Sequence, residues 1–341
     1  MREVLLAFAV AGCGVVVFKI LHLPLPWLLG PMSACLVAAL AGVPMRGLKT
    51  LNDSMRTILG VAVGATLTPA VLATFPAMWP TLLLMPIMVA CIGLIGIPYF
   101  QRYCGYDFPT AYYATMPGGL QDMIIFGEEA GANVKSVSLI HATRVMVIVF
   151  ALPFLLIGIW DADLSNPPGT PASGVPLDEM ALMVVCAFVG WRVADRVGLF
   201  GASILGPMIA TAAVTLAGGL QNRPPTEAIW AAQFFIGMAI GTKYAGITFA
   251  EVRRDLVAGL GFCLILIILT LIFVEVIYGM GLAPGMETLL AFAPGGQAEL
   301  TVLALIVGAD VAFVVAHHVL RIVVVILGAP IAARLFSQRF D

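Results

Sequence analysis

The chain has 341 residues, of which 61% are hydrophobic and 11% charged, with a formal net charge of −2. Soluble domains carry about 25% charged residues, and a mean hydropathy of +1.05 belongs to segments that are apolar on every side rather than along one stripe. A soluble globular protein is thereby excluded, as is the basic field that nucleic acid requires; the expected partner is the lipid bilayer, with no nucleic acid.

The first apolar run, near 3–20, contains Val10-Ala11-Gly12-Cys13, which looks like the lipobox of a lipoprotein leader. The run continues through Val15, Val16, Val17 and Phe18, so it reads as a first spanning helix rather than a cleaved segment. A spanning helix needs about 20 mostly apolar residues. On that measure further spans are expected near 27–44, 55–75, 77–99 and 136–160, and a second series near 178–195, 203–220, 226–246, 255–279 and 311–335. Two stretches, 107–131 and 284–308, each surround a Pro-Gly-Gly. Helix interiors tolerate Pro and Gly poorly, so both are expected to be broken helices or re-entrant hairpins. Cys13, Cys35, Cys91, Cys186 and Cys263 lie in apolar runs, where Cys acts as a small hydrophobe. No CxxC or Cys/His cluster appears, so neither a metal nor a cofactor is expected.

The two series are one unit used twice. Leu29-Gly30-Pro31-Met32 matches Leu205-Gly206-Pro207-Met208 at an offset of 206 − 30 = 176. Gly60 and Gly64 match Gly237 and Gly241 at 237 − 60 = 177, and the same offset relates Pro117-Gly118-Gly119 to Pro294-Gly295-Gly296. His141 and His318, Arg144 and Arg321, and Pro153 and Pro330 keep it too. One inserted residue between the second and third spans accounts for the change. Repeat one covers 1–160 and repeat two 178–341, joined by a linker over 161–177 rich in Pro, Gly, Ser and Asp.

Lys and Arg mark the cytoplasmic side of a membrane protein. With the N-terminus inside and both broken segments returning to the side they left, Arg2, Arg46, Lys49, Arg56, Arg102 and Lys135 are cytoplasmic. So are Arg192, Arg196, Lys243, Arg253, Arg254, Arg334 and Arg339, while only Lys19 and Arg223 face outward. Each repeat then crosses about five times, an odd number, and the second copy is inverted. The expected fold is all-α and integral to the membrane: two inverted repeats of about five helices, each with a broken or re-entrant Pro-Gly-Gly segment.

Inverted repeats with interrupted helices are a common plan of secondary transporters. Backbone groups freed by a break are tolerable at membrane depth only when buried in protein or lining a wet cavity. Gly118, Gly119, Gly295 and Gly296 are therefore the leading substrate-binding candidates, allowing close backbone approach and unusual φ. A helix starting after each break would aim its positive end there, which suits an anion. Gln121 and Asp122 follow the first break, and Gln297 and Glu299 the second. Asp122 and Glu299 bind solute or a coupling H+ or Na+, or else simply favour the helix dipole. Arg144 and Arg321 lie inside spans, where an ionisable group is a functional candidate; they contact an anion or pair locally. His141 and His318, three residues before each Arg, are candidates for a proton relay or are satisfied packing groups. Asn133 is read as a cap of the next helix. GxxxG at Gly60/Gly64 and Gly237/Gly241 reads as close helix packing.

At its duplicated Gly-Pro-Met and Pro-Gly-Gly motifs the chain resembles the bacterial AbrB-type membrane protein family, which is recognised by this internal duplication. The resemblance covers essentially the whole chain. The family is similar at fold level to the cation–proton antiporter and anion transporter group, which implies alternating access by movement of a core against a scaffold. Family members have been labelled ammonia monooxygenases and regulators of gene expression. The four His residues of this chain show no ligand spacing for an oxygen-activating metal. The leading expectation is thus a secondary transporter of a small polar or anionic organic solute, coupled to H+ or Na+. It would sit in the bacterial inner membrane with both termini cytoplasmic, with a homodimer left open. The alternatives are a ligand-binding membrane sensor acting indirectly on gene expression, a metal-dependent membrane monooxygenase, and a channel.

Overall fold

The computed structural model describes residues 2–199, 201–246 and 249–337, apart from the side chains of residues 121, 249–252 and 330–337. The described residues are helical, without strands. The first copy supplies α1 (Arg2–Ile20), α2 (Pro26–Leu40), α3 (Lys49–Gly64), α4 (Pro69–Leu72), α5 (Trp79–Pro98), α6 (Phe108–Thr115), α7 (Leu120–Glu129) and α8 (Val134–Trp160). The second supplies α9 (Leu177–Arg196), α10 (Ala202–Leu216), α11 (Thr226–Gly241), α12 (Phe249–Gly279), α13 (Gly285–Phe292), α14 (Gln297–Val307) and α15 (Val311–Ser337). Equivalent helices end alike. Gly42 and Gly218, at φ +84° and +78°, close α2 and α10, the left-handed exit that glycine adopts without strain.

Among the described residues, five segments are long and apolar enough to cross a membrane: Arg2–Ile20, Pro69–Tyr103, Val134–Trp160, Arg253–Gly279 and Val311–Ala329. The protein is a multi-pass membrane protein. Five of the ten expected spans have this length and composition. The helices α2, α3, α10 and α11 have only 15 or 16 residues, about 22–24 Å at 1.5 Å per residue, short of the ~30 Å hydrocarbon core. Asp178, Glu179, Arg192, Asp195 and Arg196 sit at the two ends of α9.

The chain forms two compact units, and each draws on both repeats. Unit 1 comprises Met1–Pro76, Leu152–Ile247 and Gln297–Ala312. Its packing is reciprocal: α3 of the first copy lies on α10 of the second, and α11 of the second lies on α2 of the first. Glycines make both seams. A Cβ at Gly60 would strike the carbonyl of Ile204, and one at Gly64 would meet that of Met208 at 2.5 Å. In the other seam, Gly237 faces the Leu28 carbonyl and Gly241 the Met32 carbonyl, the latter also at 2.5 Å. The paired GxxxG stretches are thus packing devices, since small residues let helix backbones touch. Further seams join α1 to α2 at Gly14 and Gly30, and α9 to α10 at Gly190 and Gly206. The linker is tied into this unit, with Thr226 donating through Oγ1 to Gly169 O (2.6 Å) and through N–H to Thr170 O (2.9 Å).

Unit 2 comprises Ala77–Ala151, Thr248–Gly296 and Phe313–Asp341. Here α5 packs on α6 and α12, and α12 on α13. After Pro98 the chain runs into a π-helical turn, Tyr99–Tyr103. Arg254 closes this end, donating to Cys104 O and Gly105 O at 2.7 Å each and stacking over Tyr106 at 4.4 Å. Its neighbour Asp255 accepts from the Tyr106 hydroxyl at 2.5 Å.

Candidate functional site

Both Pro-Gly-Gly segments interrupt a helix. The helix α6 ends at Thr115 and α7 begins at Leu120; α13 ends at Phe292 and α14 begins at Gln297. The residue leaving each first half-helix takes nearly the same extended conformation, Met116 at φ −61°, ψ 128° and Ala293 at φ −60°, ψ 127°. Proline supplies no N–H and the chain turns extended, so carbonyls at the half-helix ends have no intrahelical donor.

Arg and His supply those donors. Arg144 on α8 donates from Nη1 to Met116 O (3.1 Å) and from Nη2 to Gly118 O (3.3 Å). Arg321 on α15 repeats this with Ala293 O (2.7 Å) and Gly295 O (3.0 Å). His141 Nε2 bonds Tyr113 O (2.8 Å) and His318 Nε2 bonds Leu290 O (2.9 Å). A carbonyl only accepts, so each His carries its proton on Nε2. The helix carrying each Arg therefore brackets the C-terminal end of a half-helix, where a cation meets the negative end of the dipole. Both arginines are 3% exposed, and they lie within electrostatic reach of each other in unit 2. The Nε atoms of both remain without a hydrogen-bond partner.

The break glycines act through closeness rather than unusual φ. None of Gly118, Gly119, Gly295 and Gly296 has a positive φ, so the expectation of left-handed conformations there is corrected. A Cβ on Gly118 would lie 2.9 Å from both Met123 and Val325 side-chain carbons, and one on Gly119 would strike the Asp122 carboxylate. The latter thus folds back over the first turn of its own helix. Asp122 is half-buried, whereas Glu299 is 2% exposed with Oε2 unpartnered. The Gln121 side chain lies outside the described residues; Gln297 Nε2 is buried and unpartnered. Asn133 caps α8, its Oδ1 accepting from Ser136 N–H at 3.2 Å.

His317 has no counterpart in the first copy, where Ile140 stands, and nothing in the sequence assigns it a role. It is fully buried, with Nδ1 2.7 Å from Phe313 O and Nε2 2.9 Å from Thr81 Oγ1. Nδ1 donates to the Phe313 carbonyl, and the contact of Nε2 with Thr81 Oγ1, whose hydroxyl donates to Met78 O at 2.8 Å, ties α5 to α15.

Among the described residues no group of three His, Cys, Asp or Glu side chains could hold a metal ion. The family model for "Transition state regulatory protein AbrB" matches residues 27–337. The chain is similar to "Uncharacterized protein YhjN" of Bacillus subtilis (strain 168), 28% identical, covering 97% of this chain and 92% of that one. It is also similar to "Putative regulator AbrB" of Escherichia coli (strain K12), 25% identical over 94% and 92% of the two chains. No solved structure matches. The chain therefore belongs to the AbrB family, whose model covers nearly all of it.

Proposed function

We propose that this protein is a secondary transporter of a small polar or anionic organic solute. It works by alternating access in a bacterial inner membrane, with both termini cytoplasmic. The repeats are inverted and the linker lies outside, the arrangement that puts most Lys and Arg on the cytoplasmic side. One observation carries this reading: both copies break a helix at the same place and bracket the broken end with the same Arg and His. A duplicated break at membrane depth is tolerated where it is buried or lines a polar path, and inverted copies can exchange two conformations to open that path on either side.

In this reading Gly118, Gly119, Gly295 and Gly296 let solute approach the backbone. Gln121, Asp122, Gln297 and Glu299 supply polar contacts, with Asp122 and Glu299 carrying the coupling H+ or Na+. Arg144 and Arg321 hold the breaks and lend positive field to an anion, and His141 and His318 relay protons. Each half-helix C-terminus carries about half a negative charge, so two of them offset roughly half of the two guanidinium charges. The remainder favours a negatively charged solute.

The test is flux in proteoliposomes. Asp122→Asn and Glu299→Gln should fold, as judged by unchanged detergent-phase elution, yet lose transport; wild-type rates in both would overturn their assignment. A second reading draws on the printed name of the Escherichia coli relative: a membrane regulator that binds the solute without moving it. It predicts saturable binding with no flux.

A further inference from the structure

Unit 1 contains a charged cluster that does not close on itself. In this unit α14 packs against α3 and α11. Glu299, in the first turn of α14, is 2% exposed and its Oε2 accepts no hydrogen bond. Lys243, in the turn that follows α11, lies within electrostatic reach of both Glu299 and Arg56 of α3. Its side chain is exposed, so the cluster is open at that point. One turn before Arg56, on the same face of α3, stands Asn52. Asn52 Oδ1 and Arg56 Nε are both buried without partners. Neither cation forms an ion pair with Glu299.

Each buried polar group left unmade costs about 1–3 kcal/mol, and such groups are rare enough that several together need an explanation. The leftover atoms have both signs. Arg56 Nε and the Lys243 ammonium are donors, and so are the free N–H groups at the start of α14. Glu299 Oε2 and Asn52 Oδ1 are acceptors. Two cations against one carboxylate leave one net positive charge, reinforced by the α14 dipole. A matching ligand is a monoanion with acceptors at one end and a donor at the other. The cluster has no twin in the other copy, where Gln233 stands for Arg56 (233 − 56 = 177) and Thr66 for Lys243 (243 − 66 = 177). It has therefore specialised within the duplicated frame.

We infer that Asn52, Arg56, Lys243 and Glu299 form a binding site in unit 1 for a small monocarboxylate bearing a hydroxyl group. Arg56, Lys243 and the α14 N-terminus take the carboxylate, and Glu299 and Asn52 accept from the hydroxyl. This names a ligand class for the transport reading and shares Glu299 with it.

The test is binding to the intact detergent-purified chain by calorimetry and thermal shift, with lactate, propionate and alanine as probes. Lactate should bind at least about tenfold tighter than propionate, which leaves Glu299 Oε2 unpaired, and tighter than alanine, which lacks the net charge. Arg56→Gln and Lys243→Gln should each weaken lactate about tenfold. Glu299→Met should bring the lactate-to-propionate ratio toward one; if that variant does not fold, Glu299→Gln should narrow the same ratio. Equal binding of lactate and propionate, alanine binding as tight as lactate, or full affinity in both cation variants would overturn the site. Lactate bound but not moved in proteoliposomes supports the site and overturns the transport reading. Flux of another solute with no lactate binding does the reverse.

Discussion

The two broken helices are twins before the break and strangers after it. Up to Met116 and Ala293 they share backbone angles, an Arg bracket and a His contact. Past the glycines they part. Asp122 is half-buried and folds over its own first turn, while nearly every residue of α14 is buried and Glu299 keeps an unpartnered oxygen. The C-terminal ends of α6 and α13 present carbonyls that any buried break must satisfy, so duplication preserved their answer. The N-terminal ends of α7 and α14 present N–H groups of their own, but the side chains beside them, Asp122 and Glu299, differ in burial and contacts, and there the copies diverge.

The comparison breaks first if the brackets are unequal. Arg144→Gln and Arg321→Gln each leave carbonyls unpaired in a buried site and should cost about 3 kcal/mol apiece. Unfolding midpoints in detergent would then fall by similar amounts, and Lys in either place should recover less than half, since a point charge cannot reach two carbonyls as a fork does. A large loss at one position alone would mean that only one bracket holds a break. The divergent halves are compared by thiol labelling in a background with the native cysteines replaced. Cys at position 299 should react at least about tenfold more slowly than Cys at 122, because a buried site needs local opening; equal rates would erase the difference. Smaller effects belong to the histidines: His141→Phe and His318→Phe should each lower stability by about 1 kcal/mol, matched within error if the copies remain twins. The smallest lies far from either break. Ser165 donates to Asp163 through both its N–H (2.8 Å) and hydroxyl (2.6 Å), holding that linker carboxyl below its ordinary range. A depressed carboxyl contributes stability above its unfolded pKa and loses it as pH falls through the folded value. Its NMR titration should therefore sit low, and Asp163→Asn should leave both breaks undisturbed.

Much of this was legible in the residues. Pro-Gly-Gly marked each break because neither residue type sits well inside a helix, and constant offsets exposed the duplication. GxxxG marked the glycine seams. The partners of Arg144 and Arg321 were hidden, because backbone carbonyls carry no side-chain signature and only the fold shows which are released. Helix lengths were overread for α2, α3, α10 and α11, where apolar loops extended the apparent spans beyond 15 or 16 residues. Arg56 and Lys243 entered the sequence reading only as markers of sidedness, since neither has a charged counterpart in the other copy.

The reciprocal glycine seams also set a schedule for biosynthesis. Gly64 finds its partner carbonyl on Met208, and 208 − 64 = 144 residues must be made in between. At 5–20 residues per second that is roughly 7–29 s. Throughout that interval the first half sits in the membrane with its seams open, waiting for its own duplicate. Two separately encoded halves should therefore assemble when made together, and neither should persist when made alone.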